Sequence, residues 1–72
     1  MTRLPSLKPR QILKILKKKG FKEVKQVGSH MHLYHPISRL RTSVPMHNKD
    51  LKRKTLASIL RQANLRVEEL RR

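Results

Sequence analysis

The chain has 72 residues, with 19 Lys and Arg against four Asp and Glu, a net charge of +15 and no cysteine. One small domain, residues 1–72, is the limit at this length, and such a domain buries only about 60% of its unfolded surface. The missing cysteines exclude a disulfide scaffold and a cysteine-ligated zinc site, and no apolar run approaches the roughly 20 residues needed to span a bilayer. Met1–Lys8 lacks the apolar centre of a secretory leader, so a cytoplasmic protein is expected. Self-repulsion at this charge destabilises a compact chain, and an anionic partner is the usual reason to tolerate it. Nucleic acid is the first candidate. A membrane surface is the second, but it leaves the strands and histidines described below without a purpose.

Pro9 suits the first turn of a helix, where its missing N–H is not needed. Ile12, Leu13, Ile15 and Leu16 then mark one apolar face at helical spacing, and Gly20 supplies the stop. Arg10, Lys14, Lys17 and Lys18 fall on the other side. Arg10, Lys14 and Lys18 repeat at i, i+4, which costs a few tenths of a kcal/mol per like-charge pair. That side is either an ordinary solvated face or a phosphate-facing stripe.

Lys22–Val27 reads as a first strand, and Gly28-Ser29 is a turn signal. His30–His35 alternates as a second strand, with His30, His32 and Tyr34 on one face and Met31, Leu33 and His35 on the other. Arg41–Met46 is a third strand, in which Pro45 implies an edge or a strand end. Leu56, Ile59, Leu60 and Ala63 give a second amphipathic helix, starting between Asp50 and Thr55 and stopping at Asn64. Leu65–Arg72 reads as a short docked turn or helix anchored by Val67 and Leu70. The result is an α+β domain. A three-stranded antiparallel meander carries both helices on one face.

Lys52, Arg53 and Lys54 crowd the start of the second helix, where the macrodipole disfavours cations. Free N–H groups at the same place favour an anion. Phosphate contact explains the cluster better than helix stability does; the alternative is a later helix start and a solvated loop. Lys25 and Arg41, on the strands, extend the set of expected phosphate contacts. Phe21 and Tyr34 are too few aromatics for a base-stacking platform.

Three of the four histidines fall within "GSHMHLYHP", residues 28–36. His30 and His32 have a spacing that could share a metal, but no acid lies nearby and zinc wants three or four protein ligands. No metal or cofactor is therefore expected. Histidine's ordinary pKa of about 6.5 suits proton transfer near neutrality. RNA carries its own nucleophile, the 2′-OH beside the scissile phosphate. A base or acid with surrounding cations is then enough for cleavage. The spacing alone equally allows His30 to pack or hydrogen-bond within the turn.

The ordered pieces "RLPSLKPRQILKILKKKGF", "VGSHMHLYHP", "TSVPMH", "LKRKTLASILRQANL" and "VEEL" together resemble the HicA family of small mRNA-interferase toxins, also known as YcfA-like proteins. The resemblance covers nearly the whole chain. It implies a fold like a double-stranded-RNA-binding domain, ordered α-β-β-β-α, and a metal-independent endoribonuclease acting on mRNA. It further implies a HicB-type antitoxin as partner and a single catalytic histidine in the Gly-Ser-His turn. Carried over, that histidine is His30, with Gly28 and Ser29 shaping the turn. Auxiliary roles fall to His32, Tyr34 and His47, and His35 also occupies a position where the family often has histidine. Asn64 stands where a glycine is common, and Arg66 replaces a typical capping residue before "VEEL". A non-catalytic basic RNA-binding module is the competing reading, and it does not need His30 as such.

Overall fold

The computed structural model describes residues 6–70. Its first helix, α1, runs from Pro9 to Lys18. The Lys8 backbone N–H donates to Gln11 Oε1 at 2.8 Å, so Gln11 satisfies a group at the helix start. At the other end Phe21 N–H donates to Leu16 O at 3.0 Å and Gly20 N–H to Lys17 O at 3.1 Å. This is a Schellman ending, and it needs the left-handed Gly20 at φ 103°.

Three strands follow, β1 (Lys22–Val27), β2 (His30–Tyr34) and β3 (Arg41–Pro45), in an antiparallel sheet of order β1-β2-β3. β2 and β3 each end one residue earlier than the alternation suggests. His35 leaves the ladder because it closes the next loop: its N–H donates to Leu40 O at 2.9 Å and its carbonyl accepts from Arg39 N–H at 2.8 Å. Met46 leaves because its N–H turns to the carbonyl of Ser29 in the preceding hairpin.

The second helix, α2, spans Arg53–Ala63 and packs chiefly on β3. It ends as α1 does, with Leu65 N–H on Leu60 O at 2.9 Å and Asn64 at φ 56°. Asparagine tolerates that conformation better than most residues, which is why it can stand in for glycine here. A short 3₁₀ turn, Val67–Leu70, closes the described chain and buries Leu70. Glu69 takes over the capping that Arg66 cannot supply: its carboxylate accepts the Arg66 N–H at 2.8 Å and meets Lys19 Nζ at 2.9 Å. The Arg66 bond first, then Lys19, holds the Glu69 carboxyl below the usual glutamate range. Arg71 and Arg72 of the expected terminal element, and Met1–Pro5 of the segment assessed as a leader, lie outside the described residues.

Both helices cover one side of the sheet. Ile12 and Leu16 of α1 and Leu56, Ile59, Leu60 and Ala63 of α2 are buried with Leu33 and Val44 of the strands. Each Leu, Ile or Val among them contributes about 1.5–3 kcal/mol by leaving water. This fixes the strand parity: with Leu33 and Val44 inward, His30, His32, Tyr34, Arg41, Ser43 and Pro45 share the other side. No described helix is long and apolar enough to cross a membrane.

Candidate functional site

Val27 pairs with His30, so Gly28 and Ser29 form a two-residue hairpin loop. Gly28 has φ 60° and is the only loop residue with positive φ, which matches a type II′ turn with glycine at its first central position. A Cβ at Gly28 would meet nothing within 4 Å. The glycine is therefore selected by backbone shape, not by crowding. Gln26 Nε2 donates to the Gly28 carbonyl at 3.1 Å and steadies the loop. His30 follows at once, exposed, as the first residue of β2. The bond from Met46 N–H to Ser29 O ties the start of the next loop, and so His47, to the same corner. His47 Nδ1 accepts from Lys49 N–H at 3.2 Å, so a neutral His47 ring carries its proton on Nε2.

His30 and His47 line a groove of about 520 Å³ together with Ser43, Lys52, Lys54 and Gln62. A second groove, of about 500 Å³, is lined by Lys25, His32, Tyr34 and Arg41, and again by Ser43 and Gln62. Ser43 of β3 and Gln62 of α2 line both, so the two grooves adjoin where β3 meets α2. Arg41 Cζ sits 5.3 Å from the centroid of the Tyr34 ring, a cross-strand cation–π contact. No Asp or Glu lines either groove among the described residues.

Lys25 reaches this surface through a β-bulge. Glu23 pairs with Leu33 while Lys25 pairs with His32, so Val24 is the extra residue in β1. Without it Lys25 would fall on the helix-covered side; the bulge turns it out beside His32. Simple alternation through Lys22–Val27 does not reveal this.

Of the other expected contacts, Lys52 and Lys54 line the His30 groove, whereas Arg53, at the first position of α2, does not. The first turn of α2 has no acidic residue and its N-cap, Lys52, makes no side-chain cap bond. The positive end of the helix and its free N–H groups therefore meet solvent beside two lysines, an arrangement suited to an anion. Lys14, Lys17 and Lys18 of α1 line neither groove. Lys17 Nζ is paired with Glu23 Oε2 at 2.8 Å. The structure thus gathers the strand and α2 cations with His30, His32 and His47, and leaves the α1 lysines apart.

His35 has a different post. Its Nδ1 accepts from Ile37 N–H at 3.2 Å and Ser38 N–H at 3.1 Å, and its Nε2 lies 3.0 Å from Lys19 O. Two donors at Nδ1 put the proton on Nε2, which donates to the carbonyl. The ring also stands edge-on to Phe21, with centroids 5.1 Å apart. His35 therefore ties the end of β2 to the end of α1. Among the described residues, no three His, Asp or Glu side chains converge as a metal ion would require.

The family model described as the HicA toxin of bacterial toxin–antitoxin systems matches residues 9–65. The chain belongs to this HicA toxin family. The matched span starts at the first residue of α1 and takes in the Gly28-Ser29 turn, both grooves and the whole of α2. No curated protein matches the chain. Membership of a HicA toxin–antitoxin family implies a cognate antitoxin. Five polar residues at the site are not among the expected ones: Thr42 and Ser43 on β3, and Thr55, Ser58 and Gln62 on α2. The spacing of Thr55, Ser58 and Gln62, three and four along α2, is a helical stripe, but the stronger apolar stripe beside it defines the helix.

Proposed function

We propose that this HicA-family protein is a toxin that cleaves mRNA in the cytoplasm without a metal ion, as a single domain, and that His30 carries the proton transfer. The observation that supports this best is the surroundings of His30. It stands on a glycine-shaped turn, faces a groove with His47, Lys52 and Lys54, and has no carboxylate beside it. Of the four histidines, His35 is committed to backbone groups through both ring nitrogens.

In the reaction the 2′-O–P bond forms as the P–O5′ bond breaks. An imidazole takes the 2′-OH proton, and the leaving O5′ receives a proton. His30 serves one transfer, and His47, whose neutral ring holds its proton on Nε2, is the auxiliary for the other. Lys52 and Lys54, with the N-terminal N–H groups of α2, offset the charge that grows on the phosphorane oxygens. Lys25 and Arg41 hold the strand further along. Chelation leaves such a reaction intact.

Binding on this reading is mostly phosphate neutralisation and weakens steeply with salt. Replacing Lys52 and Lys54 together by Gln should reduce the slope of log K against log salt by about 1.4 units, at about 0.7 per lost contact on a single strand, and adding Arg53→Gln, outside the groove, should change it little further. Fluorescence titrations of a labelled RNA at four salt concentrations read this directly. An unchanged slope would mean that the cluster faces away from RNA.

A HicB-type antitoxin is the proposed partner. At a charge of +15, association with an acidic surface is fast and salt-sensitive. Inhibition follows if antitoxin side chains occupy the open side of β2 over His30, His32 and Tyr34.

A further inference from the structure

The cations of the groove account for grip on a phosphodiester chain, but phosphate contacts carry no base information. Gln62 differs from them in charge, in position and in how it is held. It lines both grooves, at their junction between the His30 end and the Tyr34 end. Its Oε1 accepts the Thr42 hydroxyl at 2.9 Å. Thr42 is 5% exposed and is the buried polar residue of the described core, packed on the helix-covered side of β3. Its hydroxyl needs one partner, and it finds that partner in a side chain whose other end is in the groove.

We infer that Gln62 reads a base of the bound RNA, with Thr42 as the positioning residue that orients its carboxamide. This rests on, and deepens, the ribonuclease reading. With Oε1 tied to Thr42, the free end of the amide is Nε2, which only donates. Such a donor favours a base that shows a carbonyl at the contacted edge, uracil O4 or guanine O6. It disfavours one that shows an amino group there, cytosine N4 or adenine N6. Fixing a long exposed side chain loses about as much rotamer freedom as one net hydrogen bond returns, so the Thr42 bond adds little stability. Its benefit is a pre-aimed donor. Thr55 and Ser58, on the same side of α2, can each donate or accept and so discriminate less.

The test has two arms. In the first, the full-length protein cuts an RNA of mixed sequence and the cut sites are mapped. In the second, the His30→Ala protein binds RNAs that differ at one base. Both arms should show a keto-over-amino preference of about tenfold. Gln62→Ala should bring the ratio to near one, and Gln62→Glu, which keeps the Thr42 bond but offers acceptors, should reverse it. Thr42→Val should flatten the ratio, Thr42→Ser should restore it, and adding Thr42→Val to Gln62→Ala should change nothing further. A purely structural Thr42 would instead leave the ratio intact in folded Thr42→Val protein. A ratio unchanged by Gln62→Ala, or no keto preference in the parent in either arm, overturns the inference. If the parent fails to cut but Gln62→Ala still abolishes a keto preference in binding, the base-reading role stands and the nuclease reading falls.

Discussion

His30→Ala protein is expected to fold as the parent does, to bind RNA with nearly parental affinity, and to cut it about 10²–10⁴-fold more slowly. The rate loss is that of removing a general acid or base. The fold should survive because His30 is exposed and is not a member of the buried core. Affinity should survive because the proposed phosphate contacts, Lys25, Arg41, Lys52 and Lys54, line the grooves and are left in place. A labelled RNA, a circular dichroism spectrum and a binding titration on one protein preparation separate the three effects. A non-catalytic RNA-binding module would show no rate to lose. Parental cleavage by folded His30→Ala protein would move the assignment to His32 or His47.

Gly20→Ala should be the most damaging small substitution for stability. At φ 103° a Cβ strains the backbone, typically by 1–2 kcal/mol. The same Cβ would sit 2.6 Å from His35 Nε2. The ring cannot swing aside freely, because Ile37 and Ser38 hold it at Nδ1 and Lys19 O at Nε2. Losing the Lys19 bond adds about 1 kcal/mol. Together these predict a loss of about 2–3 kcal/mol and a melting temperature lower by roughly 10–20 °C. In a His35→Ala background the clash is gone, so the further effect of Gly20→Ala should shrink toward the backbone term alone. Equal effects in both backgrounds would show that the contact carries no weight. Gly28→Ala, by contrast, meets open space and should cost only the backbone strain.

The difference between these glycines shows how far the sequence could be read. Periodicity was enough for α1 from Pro9, for the start of every strand and for the buried stripe Leu56, Ile59, Leu60 and Ala63. Local patterns of that kind are written in consecutive residues. The same patterns put His35 on the opposite face from His30 and His32 but could not say what it touches, since alternation assigns a face and not a partner. That partner is tertiary: His35 lies against the end of α1, sixteen residues earlier in the chain. The bulge at Val24 was hidden because no glycine or break interrupts β1, yet it is what brings Lys25 beside His32. Thr42 and Gln62 were hidden for a similar reason, as their bond spans twenty residues and each looks ordinary alone. The Gly-Ser-His turn was legible because backbone shape demands glycine at position 28, and the family match covers it.

The chemical identity of the RNA ends tests the central claim most directly. The parent protein should be incubated with a defined RNA in excess EDTA and the fragments weighed by mass spectrometry. Attack by the neighbouring 2′-OH, with protons moved by His30, predicts cleavage under these conditions. One fragment should end in a 2′,3′-cyclic phosphate, or the 3′-phosphate formed from it, and the other should begin with a 5′-hydroxyl. A single 2′-deoxy substitution at the cut site should then block that cut. Fragments with 3′-hydroxyl and 5′-phosphate ends, or cleavage that stops in the chelator, would contradict the account.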